Sequence, residues 1–120
     1  MANDFKRFTW SGLGTTTGAT ATAVYTVPSS GSAMESIVIG ITLSNTSASG
    51  ITADVFLDNY DGSNDVYIIK NASIPSGSSL EVMSGNKLVL QGNGTNNDAL
   101  RVSASASSSL DCTISVLEDV

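Results

Sequence analysis

Few residues in this sequence are of the types that carry out chemistry. The 120 residues include no histidine and a single cysteine, Cys112. Zinc and haem sites, and nucleophiles that use histidine as their base, require side chains that are missing here. A catalytic Ser-Lys pair would need a lysine in a dry pocket beside a serine, and nothing in the sequence places Lys70 or Lys87 in such a pocket. The sequence therefore predicts that the protein is not an enzyme and holds no cofactor.

One acidic cluster has residues that could bind a cation. The stretch DNYDGSND contains Asp58, Asp61 and Asp65, and calcium takes several oxygen ligands from such turns. The spacing lacks the alternating ligands and the terminal glutamate of an EF-hand loop, and Asp-Gly is a turn signal in its own right. We favour a plain turn without metal, with calcium binding as the alternative. Tyr60, at the tip, is a candidate contact residue.

Composition and charge narrow the choice of partner. The net charge is −6, with 11 acidic and 5 basic residues, which disfavours nucleic acid because Lys and Arg dominate binding to phosphates. Only 13% of the residues are charged, about half the usual share, and Ser, Thr, Gly and Asn fill the deficit. A protein surface with so few charges is either soluble without them, through its Ser and Thr side chains, or partly covered by neighbouring proteins.

We expect neither a standard signal peptide nor a membrane-spanning segment in this sequence. No stretch approaches the ~20 apolar residues of a membrane-spanning helix, so we expect no membrane partner. The first ten residues, MANDFKRFTW, lack the apolar run of a signal peptide. We expect the protein to be made and assembled in a cytoplasm.

Alternation of apolar and polar residues predicts eight strands. They cover residues 21–27, 36–44, 51–58, 65–70, 79–83, 87–91, 99–105 and 110–118. In the second of these, Ile37, Ile39, Ile41 and Leu43 are predicted to face the core. In the last, Cys112 shares its parity with apolar residues and is predicted to be a buried thiol. Short strands joined by Gly-, Asn-, Asp- and Pro-rich turns are typical of a single antiparallel β-sandwich, although the alternation does not distinguish a jelly roll from an immunoglobulin-like order.

The first 20 residues lack this pattern and are predicted to form an extended N-terminal arm, followed by a sandwich domain over 21–120. The segment holds Phe5, Lys6, Arg7, Phe8 and Trp10, and aromatic residues with arginine are enriched in buried contact patches. These five residues, with Tyr60, are the candidate partner-binding residues. The alternative is that Phe8 and Trp10 begin a first strand that packs on the core of the domain.

From residue 36 onward the sequence resembles the small virion structural proteins of tailed bacteriophages, especially those of marine bacteria. The resemblance rests on SIVIGITLSNTS, GITADVFLDN, the run IPSGSSL followed by KLVL, and LRVSASA followed by LDCTISVLE. These pieces are strands and turns, and none of them carries chemistry. The resemblance implies a structural role on a capsid and not catalysis.

The expected function is therefore a capsid decoration or cement protein of a virion, assembled in the host cytoplasm. Its partners would be the major capsid protein and further copies of itself, and a trimer would suit the three-fold positions of a shell. One alternative is a tail, neck or fibre-associated virion component. Another is a glycan-binding β-sandwich, with calcium assistance from the Asp58–Asp65 turn.

Overall fold

Nine strands form two antiparallel sheets in the computed structural model, which describes residues 3–28, 34–83 and 87–119. The strands are β1 (Asn3–Trp10), β2 (Thr22–Thr26), β3 (Met34–Asn45), β4 (Ile51–Asp58), β5 (Val66–Ile74), β6 (Ser79–Glu81), β7 (Leu88–Gly92), β8 (Ala99–Ala104) and β9 (Leu110–Asp119). A 3₁₀ turn at Gly18–Thr20 precedes β2. The predicted all-β sandwich is confirmed, and each of the eight predicted strands has a counterpart.

The strands pair as a set of nested hairpins. Strand β4 pairs with β5, β3 with β6 and β7, β2 with β8, and β1 with β9. Rolling this long hairpin brings β9 beside β3 and β8 beside β4. Sheet A then has the order β1-β9-β3-β6, with β7 also paired to β3, and sheet B has the order β2-β8-β4-β5. This nested order is that of a jelly roll, which the sequence alone had left open.

The core fills the space between the two sheets. Its fully buried side chains include Ile41 and Leu43 of β3, Leu100 of β8, and Ile114 of β9. Cys112 lies among them, as predicted, with a relative exposure of 1%. Burial raises the pKa of its thiol to about 12, so the thiol stays protonated and unreactive at neutral pH.

A β-bulge makes half of the predicted facing of β3 wrong. Val38 pairs with Val116, but Gly40 and not Ile39 pairs with the next residue of β9. The extra residue shifts the alternation by one. Val38 is therefore fully buried, while Ile39 is 41% exposed and Ile37 is only partly buried. The inward facing of Ile41 and Leu43, beyond the bulge, is confirmed.

A second irregularity extends β5 beyond its predicted end. The polar pair Lys70–Asn71 interrupts the apolar pattern, yet the strand continues to Ile74. Asn71 has a φ of 56°, a left-handed conformation that asparagine tolerates. Its backbone N–H donates to Asp54 Oδ1 at 2.7 Å, and Asp54 is buried beside this irregularity in the β4–β5 pairing.

The described residues form no helix with the length and apolar character needed to cross a membrane.

Because of the bulge in β3, we expect truncation of two of its isoleucines to lower the stability by different amounts. Ile41→Ala should lower the free energy of unfolding by about 2–5 kcal/mol, because it opens a cavity in the core. Ile39→Ala should change it by no more than about 1 kcal/mol, since the side chain is largely in water. Chemical denaturation of both variants measures the difference. Equal losses would mean that Ile39 faces the core.

Candidate contact surfaces on the first strand

The five candidate contact residues near the N-terminus all lie in β1, at the edge of sheet A. This strand pairs with β9 along its whole length, from Asn3 with Asp119 to Trp10 with Cys112. Residues 3–10 therefore form a first strand, the alternative that the sequence left open for Phe8 and Trp10. A separate arm role for residues 1–20 stays a prediction.

Alternation along β1 divides the candidate residues between two surfaces. Phe5 and Arg7 lie on the outer face of sheet A, in register with Leu117 and Ser115. The other three share the side of the strand that faces sheet B: Lys6, Phe8 and Trp10. The structure thus does not bring the cluster together as one patch.

An apolar row crosses four strands on the outer face of sheet A. Phe5 is in register with Leu117, Leu117 with Ile37, and Ile37 with Val89. We call these four residues the outer row. Phe5 is 78% exposed and Val89 is 55% exposed, and Ile39 lies next to the row at the bulge. An exposed apolar row of this kind is a candidate contact surface.

The sequence analysis found only Phe5 of this row. A signal for the rest was present, because Leu88, Val89 and Leu90 are consecutive apolar residues and Leu117 is apolar at an outward position of its strand. Such runs indicate that both faces of a strand are apolar.

A groove runs between the edges of the two sheets, where β1 faces β2. Its volume is about 420 Å³, and it is lined by Lys6, Phe8, Trp10, Ala23, Val24, Tyr25, Thr26, Pro28 and Glu118. The rings of Phe8 and Tyr25 pack in a tilted arrangement, with 47° between their planes and 5.3 Å between their centroids. Val24 is the extra residue of a bulge in β2, and its carbonyl accepts a hydrogen bond from Trp10 Nε1 at 2.9 Å. This bond fixes the indole across the mouth of the groove.

A buried carboxylate forms the floor of the groove. Glu118 is 1% exposed, and its Oε2 accepts a hydrogen bond of 2.5 Å from the Tyr25 hydroxyl. That hydroxyl also lies 2.8 Å from Ser36 Oγ. Glu118 Oε1 lies 3.0 Å from the Lys6 ammonium and forms an ion pair with it. Lys6 therefore covers a charge that would otherwise be buried without compensation.

This cluster shifts two pKa values in the same direction. The hydrogen bond and the charge of Glu118 raise the pKa of Lys6. Burial, followed by the hydrogen bond to Glu118, raises the pKa of Tyr25. Lys6 and Tyr25 both stay protonated at neutral pH, so the cluster does not activate either of them as a nucleophile.

Tyr60 lies away from β1, in the loop between β4 and β5. Its backbone N–H donates to Asp98 Oδ1 at 2.7 Å, and the other oxygen of Asp98 accepts from Gln91 N at 2.8 Å. Asp98 is buried and thereby ties this loop to β7. The Tyr60 ring is partly buried, and its role as a contact residue stays a prediction.

The acidic cluster of the same loop is engaged in turn contacts. Asp65 Oδ1 accepts from Asn59 N at 2.8 Å, Asp61 Oδ1 accepts from Ser63 N at 3.0 Å, and Asp58 forms an ion pair with Arg101. No group of three potential metal ligands occurs in residues 3–28, 34–83 and 87–119. These bonds are those of an ordinary Asx-rich turn.

A small polar cavity lies on the outside of sheet B. It has a volume of about 150 Å³ and is lined mainly by hydroxyl, amide and carboxylate side chains: Thr15, Thr17, Thr52, Asp54, Asn71, Ser103, Ala104 and Ser105. The Asp54 carboxylate already binds the backbone of Asn71.

Comparison with known proteins reveals a shared fold. No protein-family model and no curated protein matches the sequence. Among solved structures, a chain of the T13 viral particle of infectious bursal disease virus aligns with a TM-score of 0.52 and 12% identity, over 97% of this chain and 30% of the viral chain. A chain of the Gx strain of that virus aligns with a TM-score of 0.45 and 10% identity, over 97% and 38% of the two chains.

At 12% identity the first alignment shows a likeness of fold alone. The second alignment has a TM-score too low to support a conclusion about the fold. This chain spans less than half the length of either viral chain. The resemblance to tailed-phage proteins stays a prediction.

The raised pKa values predict that the protein loses stability in alkali. Folding retains the protons of Lys6 and Tyr25, whose ordinary pKa values are 10.5 and 10.0. The unfolded chain releases these protons first as the pH rises, so their stabilising effect is complete below about pH 9 and is lost progressively above about pH 10. Cys112 acts in the same direction from its ordinary value of 9.0.

The loss of stability in alkali is best measured in a Cys112→Ala background, which removes the contribution of the thiol to that loss. There, Tyr25→Phe should cost about 1–3 kcal/mol at pH 7, because Glu118 loses a hydrogen bond. It should also flatten the fall in stability between pH 10 and 11. Urea denaturation across this range measures both effects, and an unchanged slope would contradict the role of Tyr25.

Proposed function

We propose that the protein is a structural component of a virion: a capsid decoration or cement protein that binds the major capsid protein of a tailed bacteriophage and stabilises its shell. Three features support this. The fold is a jelly roll, an architecture used by viral capsid proteins as well as by lectins and cupins. Its likeness to a chain of a viral particle supports the same class by analogy of fold. Its buried carboxylates, Asp54, Asp98 and Glu118, are engaged in structural bonds, and its exposed apolar row and aromatic groove are suited to packing against other proteins.

The observation that carries the proposal is the groove beside β1. In sheet A, β1 pairs only with β9 among the described residues, so its other edge is available. The groove next to this edge exposes Trp10, at 40%, with Phe8 and Tyr25 behind it. An open strand edge supplies main-chain hydrogen bonds and an adjoining aromatic groove supplies specificity, which is how extended segments bind to sheets. We assign this site to an extended segment of the shell protein.

The charges on β1 suit a selective attachment. Asp4, Lys6 and Arg7 place charged groups along the edge, and such groups prevent strands from pairing with any exposed edge they meet. A binding segment must therefore match both the charges and the groove. Attachment at many copies per shell would then tie neighbouring shell subunits together, which is how a cement protein stabilises a capsid.

Co-sedimentation with empty shells of the same virus tests the proposal. Ala23→Arg fills the groove with a long side chain and removes no core contact, since Ala23 is only partly buried. It should weaken shell binding at least tenfold. Trp10→Ala should do the same, because truncation of a tryptophan anchor typically costs about 2 kcal/mol or more.

Val66→Arg is the matched control. Val66 is 48% exposed on β5, at the far edge of sheet B, and the same new charge there should leave binding unchanged. Melting curves of all three variants establish that each is folded. Wild-type protein that fails to bind shells would overturn the proposal, and immunoelectron microscopy of particles then distinguishes a neck, tail or fibre position.

A further inference from the structure

The outer row is flanked by opposite charges on its two sides. On one side, two residues along each strand, Glu35 of β3 is in register with Gln91 of β7. On the other side lie Arg7 of β1 and Lys87, which precedes Leu88 by one residue and so shares the side of Val89. Glu81 of β6, hydrogen-bonded to Thr42, also reaches this side close to Gly40, so the side carries two positive charges and one negative charge. All four charged side chains are exposed. None of them forms an ion pair within residues 3–28, 34–83 and 87–119.

We propose that the outer row is the interface of a twofold homodimer, in which a second copy of this chain covers it. A twofold axis that runs along the row turns one copy over onto the other. The apolar row then lies against itself, and the basic side of each copy lies against the acidic side of its partner. The surface is self-complementary in the manner that a twofold interface requires.

The alternative twofold axis, along the strands, is disfavoured by the same charges. It would keep each side of the row over the same side of the partner, so Glu35 would lie near Glu35 and the basic residues near each other. Like charges brought together in this way oppose association. The charge pattern therefore selects both the partner and the direction of the axis.

The size of the surface sets the expected strength. Four strands at about 4.8 Å spacing and three rows separated by about 6.8 Å cover roughly 20 Å by 20 Å. Counted on both copies this is roughly 800 Å², below the about 1,200–2,000 Å² of stable interfaces, so the dimer should be weak and should form only at high protein concentration. The dimer concerns the free protein and does not depend on attachment to a shell, which we assign to the groove on the other side of β1.

A charge-exchange experiment tests the interface. One variant combines Arg7→Glu with Lys87→Glu, and the other carries Glu35→Lys. Each should dimerise at least tenfold more weakly than wild type in sedimentation equilibrium, because both flanks of its row then have one sign. An equimolar mixture of the two should recover dimers, since the acidic flanks of one now face the basic flanks of the other.

Two further variants sharpen the test. Phe5→Ser should abolish the dimer, whereas Val66→Ser, at an exposed apolar position in the other sheet, should leave it intact. Wild-type protein that remains a monomer at about 1 mM, or that forms a trimer, would overturn the proposal. So would charge variants that dimerise as well as wild type, or that fail to recover dimers when mixed. Shell binding of the Phe5→Ser variant separates this interface from the proposed function, because attachment through the groove should survive.

Discussion

The position of β9 between β1 and β3 is the constraint on which the rest of the structure depends. One parity of β9 supplies the core, through Ile114 and Val116, and then supplies Glu118 to the floor of the groove. The other parity supplies Leu117 to the outer row. Both candidate contact surfaces are therefore consequences of one strand with two apolar faces, and neither could be moved without altering the centre of sheet A.

Burial of the Glu118 carboxylate opposes folding, because removing a charge from water has a large penalty. The protein offsets it with Tyr25 from sheet B and Lys6 from the edge of sheet A. The same lysine is an inward-pointing charge on an edge strand, a known protection against unwanted strand pairing. The ion pair thus fastens the first strand to the last within sheet A, and the hydrogen bond from Tyr25 links the two sheets where the sandwich is open.

Most of the strands could be predicted from the alternation of apolar and polar residues, because a strand with one buried face has an apolar residue at every second position. The strand order could not, since the nested pairing depends on contacts between distant segments. Alternation also failed at Ile39, where an inserted residue reversed the parity of β3, and at Asn71, where a polar residue in a left-handed conformation extended β5. For the candidate site, the sequence identified the residues of β1, but their division between two surfaces follows from pairing with β9. The outer row needed the register, because its four residues come from four separate strands.

The nested pairing also bears on how the chain reaches this structure. Strand β1 has no partner among the described residues except β9, and β2 in the same way pairs with β8. During synthesis the first strands must wait, with their apolar residues uncovered, until nearly the whole sequence has emerged. Folds dominated by such distant pairings fold slowly and pass through states that are prone to aggregate. The central hairpin β4–β5 is the only nested pair with a short connection, so it is the natural place for folding to begin and for the remaining strands to close outward around it.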